Sequence, residues 1–102
     1  MKFLVINSPK AAPPPTLPAD MILLYQASNA YINGALATHQ LDCCYALVNG
    51  GGVSIANAGS VEELVSALWA YPMWGYFEWS IKPLADVNAG LDKSIELWKK
   101  FA

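Results

Sequence analysis

Residues 53 to 85 read VSIANAGSVEELVSALWAYPMWGYFEWSIKPLA, and three successive patterns in this stretch decide the fold. Val53-Ser54-Ile55 opens it as a short run of strand formers. In Ser60-Val61-Glu62-Glu63 a helix-capping serine is followed three positions on by a glutamate, the reciprocal capping-box spacing, and the segment leads into Leu64, Val65, Leu68 and Trp69. The helix must stop before Tyr71-Pro72, because a residue preceding proline is pushed out of helical geometry. From Tyr76 to Leu84 the residues alternate, with Phe77, Trp79 and Ile81 on one side and Tyr76, Glu78, Ser80 and Lys82 on the other. That period predicts a strand with one oily face and one mixed face, closed by Pro83.

Working outward, Leu41 to Val48 is rich in strand formers, and Asn49-Gly50-Gly51-Gly52 turns it back into Val53 to Asn57 as a hairpin. Between Pro18 and Thr38 the period is helical, placing Leu24, Ser28, Tyr31 and Ala35 on one face and Gln26, Asn29 and Asn33 on the opposite one. Residues 8 to 18 hold Pro9, Pro13, Pro14, Pro15 and Pro18, an extended loop expected to border any pocket as a stiff rim. Before it, residues 2 to 7 form a first strand that stops at Asn7-Ser8-Pro9. Leu91 to Phe101 forms a last amphipathic helix with Leu91, Ile95 and Trp98 in line. The fold class is therefore α+β, a ferredoxin-like β-α-β-β-α-β arrangement over residues 1–85 with an extra C-terminal helix, residues 86–102, as an extension of the same domain.

Composition narrows the function classes. The chain has 102 residues, of which 55% are hydrophobic and only 14% charged, more apolar surface than a lone monomer covers comfortably. A homodimer is expected. All six cations are lysines and the net charge is −2, which argues against nucleic acid as a partner and against bidentate arginine clamps on carboxylate or phosphate. No apolar run approaches the roughly 20 residues of a membrane span, so no membrane partner and a cytoplasmic location are expected. Cys43 and Cys44 are adjacent and read as reduced packing thiols, without the spacing of a metal site. The Gly50-Gly51-Gly52 run has no following lysine or helix start to cradle a phosphate and reads as a turn.

The combination in residues 53–85 of a V-S-I strand, a Ser-x-x-Glu-Leu helix start, a proline-centred turn and an aromatic-led strand ending Lys82-Pro83-Leu84 resembles the muconolactone isomerase-like group of dimeric α+β barrel proteins. Leu17-Pro18-Ala19 and Ala30-Tyr31 agree with that group more loosely. The resemblance implies a homodimer with its sheets face to face, a small apolar pocket between sheet and helices, and cofactor-independent proton transfer on a lactone. Aligned on Tyr31, the first helix carries Ser28 and Asn29 where the group's enzymes carry a carboxylate.

Candidate chemistry gathers at a few side chains. His39 is the one residue with an ordinary pKa near neutrality and could serve as general acid or base, although the C-terminal end of a helix also favours a histidine through its dipole. Tyr31 and Ser28 share the inward face of the first helix and could hold a carbonyl or enolate oxygen, or could be ordinary core residues. Glu78, desolvated in a face-to-face dimer, could act as acid or base, or could pair with a lysine such as Lys82. Trp69, Tyr71, Trp74 and Tyr76 concentrate aromatic rings that suit either stacking on a small apolar or aromatic molecule or a dimer interface. The expected function is a small cofactor-independent isomerase or cyclase acting on an apolar cyclic or lactone-like molecule, the alternative a non-catalytic dimeric ligand-binding protein of the same fold.

Overall fold

Alternation in the opening residues forms the central strand of the sheet. In a computed structural model describing residues 1–102, β1 (Lys2–Pro9) buries Phe3 and Val5 on one face and leaves Leu4 and Ile6 half-exposed on the other. It runs two residues past Asn7, because Ser8 and Pro9 find partners in Glu78 and Phe77 across the sheet. The proline-rich loop then delivers the chain to α1 (Pro18–Ala37), which starts with Pro18 in its first turn, where the missing N–H costs nothing. Ser28 and Ala35 are its buried positions, on the face read from the sequence. Thr38 Oγ1 donates to the Gly34 carbonyl at 3.0 Å, and His39, at φ 60°, takes the left-handed conformation that ends the helix.

β2 (Leu41–Ala46) and β3 (Gly52–Asn57) form the hairpin. Leu47 and Val48 fall in its turn and not in the strand, and Asn49 Oδ1 accepts the Gly51 N–H at 2.9 Å to fix the reversal. Gly51 is obligatory there: a Cβ on it would come within 2.0 Å of the Asn7 carbonyl oxygen. In α2 (Val61–Trp69) Ser60 Oγ accepts from Glu63 N at 3.2 Å, while the Glu63 carboxylate reaches back past the cap to Gly59 N at 2.7 Å. A single 3₁₀ turn, Trp74–Tyr76, takes Tyr76 out of the expected strand, and β4 follows as Phe77–Leu84. Pro83 does not close β4 but pairs with Phe3 inside it, tolerated because β4 is an edge strand.

The sheet is antiparallel with order β2-β3-β1-β4, the ferredoxin-like arrangement expected. Its core is Phe3, Val5, Ala56 and Leu64, with Leu41, Leu68, Trp79 and Ile81 packed against them. Nine of the 102 residues are buried, a thin core for this length. The last helix, α3 (Val87–Lys99), starts four residues earlier than periodicity predicts because Asp86 caps it through Ala89 N at 3.0 Å. None of its residues is buried. The molecule measures 63 Å along its longest axis, and its radius of gyration is 17.2 Å, against about 13 Å for a compact chain of this length. α3 therefore stands off the body.

Candidate functional site

The helix-facing side of the sheet does not pack solidly on α1 and α2. Between them lies a cavity of about 380 Å³ lined by 18 residues, 13 of them hydrophobic. Strand register builds its floor. Val5, Ser54 and Cys44 lie side by side across β1, β3 and β2, while Asn7 and Trp79 pair one step along. α1 contributes Tyr31, Ile32 and Ala35; α2 contributes Glu63, Leu64, Ala67 and Leu68; Tyr71 comes from the segment after α2.

Some of the side chains singled out in the sequence lie at this cavity and others lie outside it. Tyr31 lines the cavity, but its hydroxyl proton is committed to the Ala67 carbonyl, a bond that ties α1 to α2. Ser28 is buried beneath the wall, and its Oγ makes no well-formed hydrogen bond. Its influence is on the Tyr71 hydroxyl, where it partly offsets the upward push of burial. His39 sits outside the cavity, exposed in the turn after α1, where its left-handed backbone ends the helix before the cavity-lining Gln40 and Leu41. Its backbone carbonyl accepts from Asn57 Nδ2 at 3.0 Å. Glu78 also lies outside the cavity, exposed on the opposite face of the sheet with Ser80 and Lys82, as strand alternation dictates.

Of the four ring-bearing residues expected at a pocket mouth, Tyr71 alone lines the cavity. Trp74 stacks on Trp79 at 5.0 Å between ring centroids and forms the layer behind it, with Trp79 Nε1 donating to the Trp74 carbonyl at 2.9 Å. Trp69 meets Trp74 edge-on and is 65% exposed. Tyr76 is hydrogen-bonded to Thr16 in a separate open groove beneath the proline-rich loop. That groove is what the loop borders; no residue from 8 to 18 reaches the cavity.

Burial pushes up the pKa of Tyr31, Tyr71 and Cys44, with Cys43 adding to the effect at Cys44, so all three hold their protons at neutral pH. Tyr31 and Tyr71 meet edge-to-face at 5.6 Å, and Tyr71 meets Trp79 the same way at 5.8 Å. The site is thus an aromatic-walled, mostly apolar chamber whose neutral polar lining includes Tyr71, Ser54 and Asn7. Its single formal charge is Glu63.

Over 84% of its length the chain superimposes on 90% of a crystal structure of muconolactone isomerase, with a TM-score of 0.75 and 20% identity. It has the muconolactone isomerase fold. A second solved structure of this fold, the 5-chloro-2-hydroxyhydroquinone dehydrochlorinase of Burkholderia phenoliruptrix AC1100 in complex with 2,5-dihydroxybenzoquinone, matches with a TM-score of 0.67 and 19% identity, covering 87% of this chain and 98% of that one. No protein-family model and no curated protein matches the sequence. The muconolactone isomerase fold is what these structures share with the chain.

Proposed function

We propose that the protein is a small cofactor-independent isomerase or cyclase that moves a proton on an apolar cyclic or lactone-like molecule held between the sheet and α1–α2. The observation that carries this reading is the 380 Å³ cavity, which suits one small ring system and combines apolar walls with a few neutral polar side chains, Tyr71, Ser54 and Asn7 among them. A carbonyl oxygen seated at Tyr71 and Ser54 gains negative charge as a proton leaves the ring, and neutral donors in a mostly apolar chamber stabilise that charge most when it is fully developed. Tyr31, anchored on Ala67, holds the aromatic wall. Both structural neighbours carry enzyme names, an isomerase and a dehydrochlorinase, which supports catalysis in this architecture.

In this reading the working unit is a cytoplasmic homodimer. The open face of the sheet supports it, since Leu4, Ile6, Val53 and Ile55 form a half-exposed apolar strip bordered by Glu78, Ser80 and Lys82. So does α3, whose exposed Leu91, Ile95 and Trp98 call for a cover that a second copy can provide. Two free cysteines suit a reducing compartment.

The second reading is a non-catalytic ligand-binding protein, favoured by the position of His39 and Glu78 outside the cavity. One experiment separates the two. A neutral five-membered enol lactone should quench tryptophan fluorescence through Trp79 and undergo a double-bond shift faster than in buffer, and Tyr71→Phe should slow the shift about tenfold. Quenching without turnover establishes the binding protein, and neither effect removes both readings.

A further inference from the structure

Ser28 is a buried hydroxyl without a settled partner. It is 3% exposed and its Oγ makes no well-formed hydrogen bond, although polar atoms cut off from water are nearly always paired. A helical serine or threonine has a ready acceptor in the carbonyl four residues back. Thr38 and Ser94 use theirs, bonding the Gly34 and Gly90 carbonyls at 3.0 Å each, whereas Ser28 leaves the Leu24 carbonyl alone. What surrounds Ser28 is specific. Tyr31 lies one turn further along the same face of α1 and meets Tyr71 at 5.6 Å between ring centroids, and Tyr71 lines the cavity. Ser28 also holds down the Tyr71 pKa that burial raises, the effect of a hydroxyl that gives its hydrogen to the tyrosine oxygen. The two cavity tyrosines therefore differ: the Tyr31 hydrogen is spent on the Ala67 carbonyl, while Tyr71 has a donor behind it and no protein carbonyl in front.

We propose that Ser28 and Tyr71 form a two-hydroxyl relay in which Ser28 positions Tyr71 as a donor, and that the cavity therefore selects ring compounds bearing a carbonyl oxygen over hydrocarbon rings of the same shape. This rests on the reading of the cavity as a ligand site, and adds to it a positioning residue and the polar group that the ligand must carry. The direction follows from counting hydrogens. Once Ser28 gives its hydrogen to the Tyr71 oxygen, the Tyr71 hydrogen is left for a third group, which a carbonyl supplies and a hydrocarbon does not. Two hydroxyls in series polarise each other, so each bond strengthens when the carbonyl arrives. Ser28 is not part of the cavity wall and acts only through Tyr71. Its loose bond in the free protein tightens as the ligand draws the Tyr71 hydroxyl into line, which accounts for a buried oxygen that has no firm partner without one.

Titration with 1-indanone and with its carbon isostere 1-methyleneindane, followed by calorimetry and by the indole N–H resonance of Trp79, tests this. The wild type should bind the ketone about tenfold more tightly than the alkene, the worth of one good hydrogen bond. Ser28→Ala should weaken the ketone about fivefold and leave the alkene within twofold, with the thermal midpoint held, because it removes only an oxygen that has no firm partner. Tyr71→Phe should remove the preference for the ketone, and Ser28→Ala added to it should cost nothing more. In carbonyl-labelled 1-indanone the bound ¹³C resonance should move downfield in the wild type and move less in Ser28→Ala. Ser66→Ala, on the exposed side of α2, should bind both probes as the wild type does. Equal losses for the two probes in Ser28→Ala overturn the assignment, since a packing role would weaken both; a further loss in the double variant overturns the relay; equal wild-type affinities for ketone and alkene overturn the ligand class. Binding of neither probe to the wild type removes the ligand-site reading itself.

Discussion

Leu64→Ala is the substitution whose cost the cavity determines most directly. Leu64 is 3% exposed, packs in the core with Phe3, Val5 and Ala56, and also lines the chamber. Truncation removes three carbons, a transfer loss of about 2.4 kcal/mol at about 0.8 kcal/mol each. In a solid core a new void would add to that and bring the total toward about 5 kcal/mol. Here the space opens into an existing chamber that solvent or ligand can fill, so the added void term is small, and the expected loss is about 2–3 kcal/mol. For a domain of about 100 residues that corresponds to a drop of roughly 10–20 °C in thermal midpoint. Chemical and thermal denaturation followed by circular dichroism measure it. A saturating ring ligand larger by about a methyl group should recover part of the loss by filling the enlarged space. A cost of 4–5 kcal/mol with no recovery by larger ligands would refute the reasoning, because the pocket would then behave as solid core. A cost below about 1 kcal/mol would show that Leu64 does not join the sheet to α2 at all.

Gly51→Ala drives a methyl group into the Asn7 carbonyl; backbone cannot yield as a side chain does, so the hairpin turn should shift and stability fall by about 2 kcal/mol or more, read from denaturation and from amide shifts of Leu47 and Gly51. Asp42 is held below the usual carboxylate range by hydrogen bonds from Lys2 and Asn57. Its folded pKa is the lower one, so its stabilising effect is present above the unfolded value of about 4 and is lost as pH falls below that; the fall in thermal midpoint between pH 6 and pH 3 should be smaller in Asp42→Asn, and an identical fall would sink the linkage. The raised Cys44 thiol should alkylate slowly with iodoacetamide at pH 7 and faster above pH 9, and a bound ring should protect it, as mass spectrometry of the Cys44 peptide would show.

Most of the fold was legible because its signals are local. The capping residues Ser60 and Glu63, the alternation of Phe77, Trp79 and Ile81, and the Asn49–Gly52 reversal each act within a few residues, and each appears where its chemistry places it. Ends set by pairing were not: β1 continues past Asn7 because β4 offers partners, and Pro83 stays within β4 because no strand lies beyond it. The site was harder to read. Asn7, Ser54 and Cys44 reach one chamber through a register between strands distant in sequence, which no single segment encodes. Glu63 carried a helix-cap signature that accounted for its presence, so its second position on the cavity wall had no separate mark. His39 looked like an acid–base residue, and it falls in the left-handed turn after α1, exposed and outside the cavity that Tyr31 lines.

Both borders of the sheet resist lengthwise growth. On one side Asp42 occupies a bulge between Leu41 and Cys43 and is locked by Lys2 and Asn57, which bends β2 and breaks the regular row of donors and acceptors. On the other, β4 carries Pro83, which has no N–H to offer, with the charged Lys82 beside it. A foreign strand therefore finds no straight template along either border, and recruitment into cross-β fibrils is discouraged even though the chain is more than half apolar. The apolar surface that stays open to a partner is then the uncovered face of the sheet and the exposed stripe of α3, not the strand borders.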